Sequence, residues 1–122
     1  MYIRFVVGGD QEHYKLLTGI VSESRLLRDH GALFAYEEEL VEQAYNWLNS
    51  NLPCPPFHSG VWSKDAVCWF KDSALEAIKQ MRVLTNLLKQ HDIPVRILHS
   101  RSPGKILYED HFQVVVEEWK AI

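Results

Sequence analysis

The chain has 122 residues, 47% apolar and 24% charged, with a formal net charge of −3 when its six histidines are neutral. That length and apolar content predict one globular domain over residues 1–122. They exclude a disordered chain and a small scaffold that needs disulfides or metal to fold. The acidic excess disfavours a dedicated nucleic-acid binder, which neutralises phosphates with Lys and Arg. No apolar run approaches the ~20 residues of a spanning helix, so no membrane partner is expected.

Residues 2–7 are rich in β-branched and aromatic side chains and stop at Gly8 and Gly9, as a first strand does. This apolar opening is too short for a signal peptide, which points to a cytoplasmic protein with Cys54 and Cys68 reduced. Asp10 is a natural helix cap. From there Leu16, Leu17, Ile20, Val21, Ser24 and Leu27 recur at helical spacing. Gly19 weakens or splits that helix, and Gly31 stops it. A second helix is predicted over 36–50, with a stripe of Tyr36, Leu40, Ala44 and Leu48 widened by Val41 and Trp47. Glu37, Glu38 and Glu39 fall in its first turn, where the helix dipole and solvent account for them.

Three prolines, Pro53, Pro55 and Pro56, make 52–60 a stiff connector. Residues 66–71 do not alternate and read as a buried central strand. Ser73 and Glu76 form a capping-box pattern for a helix over 73–91, with Leu75, Ile78, Met81, Leu84 and Leu88 as its apolar face. A strand follows Pro94, a turn falls at 102–104, and two further strands run over 106–108 and 112–116. The order is β-α-α-β-α-β-β-β. It predicts an α/β chain, with α+β as the alternative, built on a single mixed sheet of about five strands. Residues 93–99 are expected to pair with 105–110.

Helix-containing connections suit parallel crossovers. If the first three strands are parallel, their carboxyl ends bring together Gly8, Gly9 and Asp10, then Lys71, Asp72 and Ser73, then His99, Ser100 and Arg101. Helix N-termini, glycine backbone, Lys71 and Arg101 would suit a small anion, with His99 as a candidate proton-exchanging group. The candidate ligand-binding set is therefore Gly9, Asp10, Lys71, Asp72, Ser73, His99 and Arg101. The same residues also serve as ordinary caps and turns.

Other groupings carry less. His99 and His111 near Glu109 and Asp110 lack the convergence a metal needs, and the two cysteines make no zinc pattern. No metal and no cofactor is expected. His58 beside Cys54 has no orienting acid or oxyanion hole. Trp62, Trp69 and Phe70 read as core, and Arg96, Arg101 and Lys105 make an acid-free stretch within 93–108. The expected function is a non-catalytic binding or protein-interaction module, with a homodimer as one partnership and a small anionic ligand as another. The alternative is a small enzyme acting on a phosphorylated or carboxylated metabolite, and the sequence leaves open whether any reaction is catalysed. A deep pocket joining the three strand ends would favour the enzyme. A flat surface there, with an apolar patch elsewhere, would favour the interaction module.

Overall fold

In the computed structural model, residues 1–8, 19–57, 61–62 and 66–119 are described. The elements are β1 (Tyr2–Val7), α1 (Ile20–Asp29), α2 (Ala35–Asn51), β2 (Ala66–Lys71), α3 (Leu75–Gln90), β3 (Val95–Ser100), β4 (Gly104–Glu109) and β5 (Gln113–Glu118). The predicted order holds, and the class is mixed α/β. The strands form one open five-stranded sheet in the order β3-β1-β2-β5-β4, with β2 at its centre.

Every pairing in the sheet is antiparallel. The expectation that the first three strands run parallel is therefore corrected. A single helix carries the chain back to the end it left, and β2-α3-β3 obeys this: β2 and β3 run the same way, with β1 between them. The β1–β2 connection instead contains an αα-hairpin. Arg28 meets Glu42 at 3.5 Å and Arg25 lies over the Tyr45 ring, so α1 and α2 run antiparallel. A helical hairpin begins and ends on the same side, so it does not restore direction as one helix does. Gly31, at φ 70°, makes the tight turn after α1. The expected pairing of 93–99 with 105–110 is also corrected. β3 pairs with β1 through six residue pairs, and β4 pairs only with β5.

β3 and β4 are thus the two edges of the sheet, yet only residues 101–103 join them. Ser100 to Gly104 can reach at most ~14 Å along the chain. Four strand spacings on a flat sheet would be about 19 Å. The sheet must therefore coil. The indole Nε1 of Trp119 donates to Ser102 O at 3.1 Å and pins the link. The face away from the helices holds a core of Trp69, Val114 and Val116, packed with Tyr2, Val67 and Leu98. Val114 and Val116 are inaccessible there, although no described helix covers this face.

The opposite face carries the helices. Ile3, Phe5, Val7, Phe70, Val95 and Ile97 meet Ile20, Ile78, Met81, Leu84 and Leu88. α3 starts later than its sequence pattern implies. Ala74 occupies the cap position without a side-chain cap bond, so the expected Ser73 box does not form. Leu75 then stands in the first turn and is 74% exposed, against expectation, while Ile78, Met81, Leu84 and Leu88 are buried as predicted. α2 packs chiefly on α1 and α3 rather than on the sheet. Its buried residues are Glu37, Val41, Ala44 and Leu48, a face rotated from the predicted stripe.

Candidate functional site

The strand ends were the first candidate. Tyr2 pairs with both Lys71 and Ser100, so the carboxyl ends of β2 and β3 meet beside the N-terminus. The carboxyl end of β1 lies at the other end of the sheet, where Gly8 N donates to Pro94 O at 3.0 Å. Gly9 and Asp10 lie outside the described residues. Two of the three segments therefore come together, and the third leaves from a point about 20 Å away, the length of a six-residue strand.

Two of the charges at the shared end are engaged. Lys71 Nζ sits 2.6 Å from Glu109 Oε2, and Asp72 Oδ2 sits 3.7 Å from the N-terminal amine. Ser73, His99 and Arg101 are exposed. His99 pairs with Ile3 and therefore shares the helix face of the sheet. A groove of about 500 Å³ runs beside Asp72, lined by Ile3, Leu75, Lys79 and Arg82 among others. Its positive charge comes from α3 rather than from Lys71 or Arg101, which the strand-end reading did not anticipate.

A second opening separates β1 from β2. Their ladder comprises two pairs, Tyr2 with Lys71 and Ile3 with Phe70. Beyond these lies a cavity of about 260 Å³, lined by Arg4, Phe5, Val67, Cys68, Phe70 and Met81 among others. Its walls are apolar apart from Arg4 and Cys68. Arg4 meets Glu118 at 3.5 Å. Burial, reinforced by the charge of Asp110 and only partly opposed by Arg4, pushes the Cys68 thiol up to about 12. A thiol at that value carries almost no thiolate at neutral pH and is a poor nucleophile. Instead its Sγ donates to Gln113 Oε1 at 2.9 Å, and Gln113 Nε2 donates to Pro53 O at 2.9 Å and to Asp110 Oδ2 at 3.1 Å. Burial opposes ionisation of Asp110. Bonds from the Phe112 and Gln113 amides, the Gln113 side chain and the Tyr108 hydroxyl outweigh it and hold the carboxyl below its ordinary range. The network straps the proline connector to the sheet, and Phe57, Trp62 and Tyr108 continue the strap as a chain of ring contacts. Its groups bond to one another, which is a structural role. His58 lies outside the described residues. Cys54 and Cys68 are free thiols, and no group of three metal-ligating side chains occurs among the described residues.

The third feature is the outer surface of α2. Phe34 is 69% exposed, Tyr36 62% and Leu40 38%. The rings of Phe34 and Tyr36 stack in parallel, 6.2 Å between centroids. At ~100° per residue, Tyr36, Leu40, Gln43 and Trp47 fall within an arc of about 60°. The core-facing arc of Glu37, Val41, Ala44 and Leu48 is centred about 100° further round, and Glu42 and Tyr45, which meet α1, lie beyond it. The Tyr36–Trp47 stripe thus lies on the flank away from α1. The sequence stripe was a blend of the two arcs: the structure buries one and leaves Tyr36, Leu40 and Gln43 of the other exposed, while Trp47 is half-buried and packs against the core.

The root of this surface is fixed by a buried carboxylate. Glu37 is 2% exposed, against the expectation that the three glutamates are simply solvated. Its Oε1 accepts the Phe34 amide at 3.0 Å, and its Oε2 accepts His91 Nε2 at 2.8 Å. Burial raises its pKa, but the Phe34 amide and the bond and charge of His91 together win, and the net shift is downward. The residue carrying the first aromatic ring is therefore bonded through its backbone to the helix that presents the second.

Comparison of the chain with protein families, curated proteins and solved structures finds no match. Among the described residues no helix is long and apolar enough to cross a membrane.

Proposed function

We propose that this protein is a non-catalytic protein-interaction module that presents the Phe34, Tyr36 and Leu40 face of α2. The observation that carries this reading is the parallel-stacked, solvent-exposed pair Phe34 and Tyr36 on a turn held by buried Glu37. Burying such rings against a partner removes apolar area from water at about 25 cal/mol per Å². Aromatic anchors that are already ordered lose little entropy on binding. The distribution of chemistry supports the same reading. The deepest thiol is held protonated, and Lys71 and Asp72 at the strand ends are taken up in separate ion pairs.

The test is quantitative co-purification of the tagged chain and its Tyr36→Ser/Leu40→Ser variant, with a differently tagged second copy included. Both positions are on the surface, so thermal stability should change little. The reading expects a bound protein that the variant loses. An unchanged set of bound proteins contradicts it.

The meeting of the β2 and β3 ends beside the Lys79 and Arg82 groove favours a second reading, a small anion or carboxylated metabolite held there. Native-state stabilisation by millimolar phosphate or a dicarboxylate, lost in Arg82→Ala, would support it. No thermal shift at that concentration would remove it.

A further inference from the structure

We infer that the occupant of the outer α2 face is a second copy of this chain, with the two α2 helices packed antiparallel across a two-fold axis. This rests on the interaction reading above and deepens it by naming the partner.

The first argument is the spacing of the stripe. Tyr36, Leu40, Gln43 and Trp47 are separated by four, three and four residues. That series reads the same in both directions. Two antiparallel copies therefore fall into one register, with Leu40 of each opposite Gln43 of the other and Tyr36 of each opposite Trp47 of the other, which is half-buried against its own core and offers only its remaining surface. A closed two-fold contact needs such self-complementarity. The alternating four and three steps are also those of a helix–helix seam. Gln43 is suited to the centre of such a seam. Its amide already donates to Glu39 at 3.2 Å, so its stem can cover Leu40 while its polar head stays bonded.

The second argument is charge. The exposed acids of α2 are Glu38, Glu39 and Glu42, all in its first half, and residues 43–51 carry no charge. Parallel copies would set acid against acid. Antiparallel copies in this register set Glu38 and Glu39 of each opposite the uncharged Tyr45 and Ala44 of the other and oppose the helix dipoles, while Glu42 pairs with Arg28 on the flank toward α1. Phe34, stacked on Tyr36, extends the seam toward the uncharged last turn of the other helix.

The sheet edges, the other place where a second copy could pair, are less suited. β4 carries a bulge between Ile106 and Tyr108 and an exposed Lys105, both devices that blunt an edge. The end of β3 is tied to the start of β4 by the short pinned link.

The stripe is about 16 Å long and one helix, roughly 10 Å, wide. That is about 160 Å², a fifth of the ~800 Å² per partner of a standard interface, so the dimer should be weak and fill only toward high concentration. Sedimentation velocity of the full chain from about 1 to 500 μM tests this. The expected result is a monomer–dimer equilibrium that Leu40→Glu weakens by roughly tenfold or more, because it places a charge in the seam. Gln43→Glu, at an exposed position whose substitution costs the fold little, should weaken it similarly. In a Cys54→Ser background, a mixture of Leu40→Cys and Gln43→Cys chains should cross-link under mild oxidation far better than either alone. A monomer at every concentration, or a dimer indifferent to both glutamate variants, overturns the inference. If the chain stays monomeric while a different protein is lost in the Tyr36→Ser/Leu40→Ser co-purification, this inference fails and the interaction reading stands. If neither association is seen, both fail.

Discussion

Replacing Glu37 by Gln probes the joint between the helical layer and the exposed aromatic pair. The substitution keeps shape and leaves a carbonyl oxygen for the Phe34 amide. It removes the charge that His91 meets and the second acceptor of the carboxylate. Hydrogen bonds to charged groups contribute about 1.5–3 kcal/mol each. Severing a deeply buried ion pair would cost ~3–5 kcal/mol. Here the His91 side chain keeps 21% of its exposure, so the smaller range applies. A loss of about 1.5–3 kcal/mol should lower Tm by roughly 5–15 °C in a chain of this size. The pH dependence is diagnostic. The folded-state pKa of Glu37 lies below its ordinary 4.5, so the unfolded chain takes up the proton first as pH falls. Its stabilisation is complete above that ordinary value and is lost as pH falls through the depressed one. Urea unfolding of the two proteins should therefore differ at pH 7 and differ less at the lowest pH at which both remain folded. A difference under ~0.5 kcal/mol at pH 7, or one that is the same at both pH values, would refute the Glu37 account.

Three further outcomes follow from packing and burial. Leu84→Ala should cost about 2–5 kcal/mol because Leu84 is 1% exposed, whereas Leu75→Ala, at 74% exposure, should stay within ~0.5 kcal/mol; equal losses in urea unfolding would mean that α3 is wrongly phased. Gly104→Ala should destabilise the β4–β5 hairpin by several times ~0.5 kcal/mol, since a Cβ there would run into the Glu117 carbonyl, and a neutral result would mean that the two strands pair in another register. With a thiol reagent at pH 8, exposed Cys54 should react at once. Cys68, held near 12, should react on the order of a thousandfold more slowly than a free cysteine until the chain unfolds, and rapid labelling of both would show that the Cys68–Gln113 bond is not maintained.

Much of the fold is local and could be read. The strands and α3 follow from β-branched runs, turn residues and the spacing of Ile78, Met81, Leu84 and Leu88. Strand direction depends on what a connection does in space, and two helices in series defeat the rule that holds for one. The Glu37 joint was partly legible. Phe34 at the cap puts Glu37 at the third helical position, where a carboxylate reaches back to the cap amide. The missing half was His91, 54 residues further along, which only the antiparallel packing of α2 on α3 supplies. Leu75 misled because Ser73 and Glu76 match a cap pattern that the chain does not use. The opening between β1 and β2 has no sequence signal, since nothing in either strand marks where their ladder ends.

The central claim, that the outer face of α2 is where this protein meets its partner, is tested most directly by site-specific photo-crosslinking in living cells. A benzophenone amino acid placed at Tyr36 should form a protein adduct that Leu40→Glu abolishes. The same group at Glu76, exposed on α3, should form far less. An adduct at twice the chain mass would identify a second copy. If Tyr36 captures no more protein than Glu76, or if its adduct survives Leu40→Glu, the face is only solvent-exposed surface and the account is wrong.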